Sequence, residues 1–147
     1  MDAEQIKQVL GLQPHPAEGG FFAETYRPEE GLAKEHLPEP YAGGRSVGTA
    51  IYYLLTPDSF SAMHRLKSDE VFHFCLGDPV EMFLLDPQGA SGVRVLGTDL
   101  AGRAAPAGGD PSRRLAGAPA GARRALPAAR HHGRTGLRLR GLRVGRP

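Results

Sequence analysis

Two short runs of aliphatic, aromatic and β-branched residues, at 71–76 and 80–85, are separated only by Gly77-Asp78-Pro79. Side chains of this kind favour a pleated, half-buried backbone, and Gly, Asp and Pro supply the conformations of a tight turn. Runs this brief, ended this abruptly, cannot be helices, so the pair is predicted to be a β-hairpin. The second run stops at Asp86-Pro87-Gln88-Gly89, where Pro presets φ and Gly accepts the positive φ that closes a turn. The same punctuation recurs along the chain. Strand-like stretches at 21–26, 46–55, 60–66 and 92–96 are bounded by Gly19-Gly20, Thr56-Pro57-Asp58 and Gly97-Thr98-Asp99. Residues 28–44 hold prolines and glutamates without periodicity and read as a long surface loop or lid. One short helix precedes the strands: Asp2 caps it with Gln5 three residues on, Ile6, Val9 and Leu10 form its apolar stripe, and Gly11 ends it. The fold class is mainly β, an antiparallel sandwich or barrel with a short N-terminal helix. The missing 3.6-residue periodicity excludes a helical bundle, and the missing crossover helices exclude a parallel βαβ fold.

At 147 residues the chain has the size of one domain and needs no disulfide or metal to staple its core. Its single cysteine, Cys75, lies in an apolar run and is expected to be a buried, inert thiol in a reducing compartment. No stretch approaches the roughly 20 apolar residues of a membrane span, and no basic-then-apolar leader is present, so the expectation is a cytoplasmic protein with no membrane partner. The net charge of +2 conceals a partition. Residues 1–100 carry 7 Lys or Arg against 15 Asp or Glu, while residues 101–147 carry 11 Arg against Asp110 alone. All ten Phe and Tyr precede Leu85. The boundary is therefore drawn into an incomplete β-barrel domain, 1–102, and an Ala/Gly/Arg/Pro-rich tail, 103–147. The tail's arginines lack the interleaved aromatics and motif spacings of nucleic-acid binders, so no nucleic-acid partner is expected.

His64, Asp69, Glu70 and His73 fall within ten residues of each other. Imidazole and carboxylate are the groups that serve acid–base chemistry near neutral pH, and they also ligate divalent metals. Strand alternation puts Glu70 with Phe72 and Phe74 on one face and His73 with Val71 and Cys75 on the other, so without a bulge Glu70 and His73 do not share one cavity. Glu24 and Tyr26 share a face of the 21–26 strand with Phe22. Gly19-Gly20 reads as a turn or bulge, since no helix follows to make it a phosphate cradle.

The order His15-Pro16, Glu18-Gly19-Gly20, Glu24-Thr25-Tyr26-Arg27, His64-Arg65-Leu66, Ser68-Asp69-Glu70, His73-Phe74 and Gly77-Asp78-Pro79 resembles a small single-domain branch of the cupin superfamily, largely of unknown function. The likeness runs from about residue 9 to residue 100. It implies an antiparallel jelly-roll barrel that binds a small polar, sugar-like ligand. His64 and Glu70 would be the catalytic pair or the metal ligands, with Glu24, Tyr26 and His73 as ligand-binding groups. Leu66 occupies the position of a second metal histidine, so the full metal set is not carried over, and a divalent metal as cofactor is expected at less than one equivalent. Three activities are compatible with the resemblance: an isomerase or epimerase, a non-catalytic binding or storage module, and a metal-dependent dioxygenase. It also implies a homodimer, which would cover the barrel's exposed edge strands.

The tail needs a separate account, because its composition is that of a disordered segment. The stretch from Leu137 to Arg143 can be encoded so that moving one base forward reads Phe-Asp-Phe-Ala-Asp-Phe, an alternating strand. The same shift lets Leu115-Ala116-Gly117 read Trp-Gln-Gly and Ala107-Gly108-Gly109-Asp110 read Gln-Val-Val-Thr. The expectation is that the tail is a frameshifted barrel C-terminus, with the last strands missing or disordered.

Overall fold

The computed structural model describes residues 1–39, 41–110, 114–118 and the backbone of 136–141. The chain opens with helix α1, Ala3–Leu10, closed by a reciprocal Asp2–Gln5 capping box and by Gly11 in the left-handed conformation. Twelve strands follow among the described residues: β1 Gln13–Pro14, β2 Phe21–Tyr26, β3 Gly31–Leu32, β4 Arg45–Ser46, β5 Ala50–Leu55, β6 Ser61–Arg65, β7 Glu70–Leu76, β8 Val80–Leu85, β9 Ser91–Leu96, β10 Ala107–Asp110, β11 Leu115–Ala118 and β12 Gly136–Gly141. They form a six-stranded sheet in the order β1-β2-β5-β12-β7-β10, a four-stranded sheet in the order β6-β11-β8-β9, and the small β3-β4 pair. Every ladder between these strands is antiparallel.

The core follows from strand alternation. Tyr53 and Leu55 of β5 pack with Val80 and Ala118, and Phe72 of β7 packs with Met82 and Leu96, so side chains of the two large sheets meet between them. The intervening Leu54 faces the other way and packs with Ile6 of α1 and Leu12, with Phe21, Ala23 and Tyr52 around them. This explains why β5 reads as nearly continuous apolar sequence: the barrel covers one face and the helix the other.

Three expectations are corrected. The single strand expected at 46–55 is split into β4 and β5, and the 28–44 loop contains β3 and a 3-10 turn at Lys34–His36. Cys75 is exposed rather than buried, because it lies on the face of β7 opposite Phe74, whereas the helix covers β2 and β5. The tail supplies strands where missing or disordered ones were expected. β10 pairs with β7, β11 lies between β6 and β8, and β12 lies between β5 and β7. Backbone ladders need no large side chains. At Gly117 a Cβ would come within 2.8 Å of Met63 Sδ and the Ser61 carbonyl oxygen, so the close approach of β11 to β6 uses the glycine. The rest of the tail expectation, at 111–113, 119–135 and 142–147, lies outside the described residues.

Candidate functional site

The site is built from a turn that ends in a glycine pair and from two strands. After β1 the chain turns through His15-Pro16-Ala17-Glu18, and His15 Nδ1 accepts the Glu18 N–H at 2.9 Å and the Ala17 N–H at 3.4 Å. In the neutral ring the hydrogen is then on His15 Nε2, which stands 3.9 Å from Glu18 Oε2. The His15 ring is held edge-on to Phe22 and Tyr53. Gly19 and Gly20 follow with φ of +81° and +66°. A Cβ at Gly19 would sit 2.5 Å from the Phe60 carbonyl oxygen, and the Tyr53 hydroxyl donates to the Gly19 carbonyl at 2.7 Å. The pair is a tight turn pressed against β5 and the start of β6, as the sequence reading expected.

This close approach delivers Glu18 to β6. The Ala62 N–H donates to the Glu18 carbonyl at 2.7 Å, and the Ala62 carbonyl lies 2.8 Å from His64 Nδ1. A carbonyl only accepts, so His64 carries its hydrogen on Nδ1, and its Nε2 holds the lone pair in the neutral ring. His64 Nε2 stands 3.7 Å from Glu18 Oε2 and 3.8 Å from Glu70 Oε2. Glu70, the first residue of β7, is 2% exposed, whereas the His64 and Glu18 side chains retain 15% and 11%. Opposite Glu70 across the β7–β10 ladder is Asp110, also buried. Burial, and after it the Glu70 charge, pushes the Asp110 carboxyl above the ordinary aspartate range, with Arg114, His64 and Arg94 opposing.

Of the residues singled out in the sequence, His64 and Glu70 are brought together. The others are elsewhere. Glu24 pairs with Arg27 at the surface through two hydrogen bonds, to Oε1 at 2.9 Å and Oε2 at 2.5 Å, and this pairing holds its carboxyl below the ordinary glutamate range. Tyr26 is half exposed, beyond a register shift in the β2–β5 ladder. His73 lies exposed on the outer face of β7, and Asp69 sits in the loop before it. Glu24, Tyr26 and His73 therefore stand outside the interior cluster. His15, Glu18 and Asp110 belong to the cluster and were not named as site residues. The signal for the first two was a His-x-x-Glu turn running into a glycine pair. Asp110 was hidden by its place in the tail.

Two histidines and two glutamates supply the donor types of a transition-metal site. Among the described residues no group of three His, Cys, Asp or Glu side chains is placed to hold a metal ion.

The fold and this interior cluster can be set beside known proteins. The chain is similar over 100% of its length, and 80% of the other, to a crystallised protein of Shewanella oneidensis, with 26% identity and a TM-score of 0.76. It is similar to a hypothetical protein of Leishmania major at 27% identity and a TM-score of 0.75, covering 95% of this chain and 81% of that one. A variant of Bacillus subtilis oxalate decarboxylase shares the fold at 15% identity and a TM-score of 0.50, over 88% of this chain and 27% of the decarboxylase. No curated protein matches the chain. The profile of a family described as cupin superfamily, DUF985, matches residues 4–109, a span that runs from α1 through the His64–Glu70 strands to the edge of Asp110. The two-sheet antiparallel barrel and that match together place the chain in the DUF985 family of the cupin superfamily.

Proposed function

We propose that the barrel interior binds a small polar, sugar-like ligand and moves a proton on it, as an isomerase or epimerase does. The observation that carries this reading is His64 Nε2, set between the carboxylates of Glu18 and Glu70 at 3.7 and 3.8 Å. The Nδ1 hydrogen bond to Ala62 fixes the ring's tautomer, so Nε2 is the atom that accepts a proton from the ligand. Once it does, the imidazolium lies against two carboxylates and is stabilised by both. Glu18 and His15 form a second acid–base pair beside His64, suited to returning a proton at a neighbouring atom of the ligand. Described residues do not form a three-donor metal set, so no step is routed through a metal.

The test is a thermal-shift screen of neutral aldoses and ketoses on the intact chain, followed by NMR of the best binder in D2O. The expected result is deuterium entering one carbon-bound position of the ligand, with His64→Ala and Glu70→Gln slowing exchange by roughly 100-fold or more. Binding without exchange, weakened by the same two substitutions, would instead establish the non-catalytic binding module. Binding unaffected by either would end the assignment of the interior cluster as the site.

A further inference from the structure

A concavity lies away from the acidic cluster, between the β3–β4 pair and the end of β2. Its volume is about 190 Å³ and its wall combines Arg27, Arg45, Tyr41, Leu32, Leu37 and the hydroxyls of Ser46, Thr49 and Ser68. We propose that this cleft binds a small organic anion, a carboxylate or phosphate monoester carried on an apolar body. The charge of the wall sets the sign of the ligand: two guanidinium groups line it and no carboxylate does. Arg27 is already engaged through Nε and Nη2 by Glu24, which fixes its direction and neutralises much of its charge. Arg45 lies over the Tyr41 ring at 5.4 Å from its centroid, and Lys67 lies over the same ring at 5.7 Å. Among the described residues no carboxylate reaches Arg45 at ion-pair distance, so Arg45 is the cation available to a ligand.

The remaining wall sets the ligand's body. Leu37 is buried, Leu32 is half buried and Tyr41 is anchored through its hydroxyl to the Lys67 carbonyl at 3.0 Å, giving a fixed apolar surface beside the guanidinium. A cavity of about 150 Å³ accommodates benzene, so this cleft suits a single ring or short alkyl body with one anionic group. The barrel interior is unsuited to the same molecule, since Glu18, Glu70 and Asp110 make it acidic. The two sites thus select opposite chemistries, and the proposal stands on its own residues.

Isothermal titration of the full chain with phenyl phosphate, phenylacetate, inorganic phosphate and benzyl alcohol tests it. At least one of the two phenyl anions is expected to bind at least tenfold more tightly than benzyl alcohol, and the stronger of the two names the headgroup. Inorganic phosphate, lacking the apolar body, is expected to bind more weakly than phenyl phosphate. Arg45→Gln is expected to weaken the preferred anion roughly 10- to 100-fold, with Arg45→Lys retaining part of it and thereby separating charge from any loop disturbance. Retention of binding by His64→Ala places the ligand in the cleft. Equal affinity for benzyl alcohol, no effect of Arg45→Gln, or loss of binding in His64→Ala would each overturn the proposal.

Discussion

Asp110 and Glu70 are direct register partners, and both are buried on one side of the barrel. The Asp110 carboxyl is pushed up, by burial first and by the Glu70 charge second. The raised group binds its proton more tightly folded than unfolded. Its contribution is therefore most favourable below the unfolded aspartate range and is lost as pH rises towards the folded pKa. Asp110→Asn is expected to raise the melting temperature at pH 7 and to flatten the wild-type gain in stability between pH 7 and pH 4. A parallel pH dependence in the variant would remove Asp110 as its source. At this scale the sequence showed His64 and Glu70, whose separation is short and whose strands are regular. It did not show Glu18, because the approach of Glu18 to His64 depends on the Ala62 hydrogen bonds and on Tyr53 gripping Gly19, contacts set only once distant strands have met. The Glu24–Arg27 pair reads as a site motif in sequence but is a solvent-exposed ion pair worth little to stability.

Strands with a clear alternation were legible almost to the residue: β2 and β8 coincide with the stretches read from the sequence, β7 and β9 differ by one residue at one end, and β6 is one residue shorter at each end. The misses have physical causes. β4 and β5 were fused because residues between them carry no strong turn signal, and β3 is too short to show a period. The turn before β2 is the element on which the cluster depends most. Gly19 has φ +81° and leaves no room for a Cβ against the Phe60 carbonyl. Gly19→Ala is expected to cost at least about 1–2 kcal/mol from the left-handed backbone alone, and more from the clash, measured as a lower urea midpoint at unchanged m-value. It should also draw Glu18 away from His64 and weaken ligand binding, whereas Gly11→Ala, which meets open space, should show the backbone cost without any effect on the cluster. Equal effects of both substitutions on binding would detach the turn from the site.

At the scale of the molecule, the outer face of the four-stranded sheet carries Met63, Phe83 and Val93 exposed, with Phe83 opposite Val93 across β8–β9 and Gly117 between Phe83 and Met63. A twofold axis through this row would lay each chain's apolar stripe on the other's. A homodimer is the expected state at micromolar concentration by light scattering, with Val93→Glu converting it to monomer; a monomeric wild type would refute it. The three tail strands, at 107–110, 115–118 and 136–141, overlap the three segments for which the one-base shift gives an alternative reading, and the family match stops at residue 109. Translation of the gene across codons 100–147 is expected to give an open shifted frame that carries those three alternative segments. Stop codons in that frame would make the basic tail the native sequence. Either way, β12 joins β5 to β7, so the halves β1-β2-β5 and β7-β10 of the six-stranded sheet have no ladder between them until residues 136–141 arrive. A nascent chain that has emerged only as far as β11 therefore displays two unfilled strand edges in the middle of its largest sheet. The six-stranded sheet closes only once synthesis has passed residue 141, and until then those edges are open to pairing with another chain.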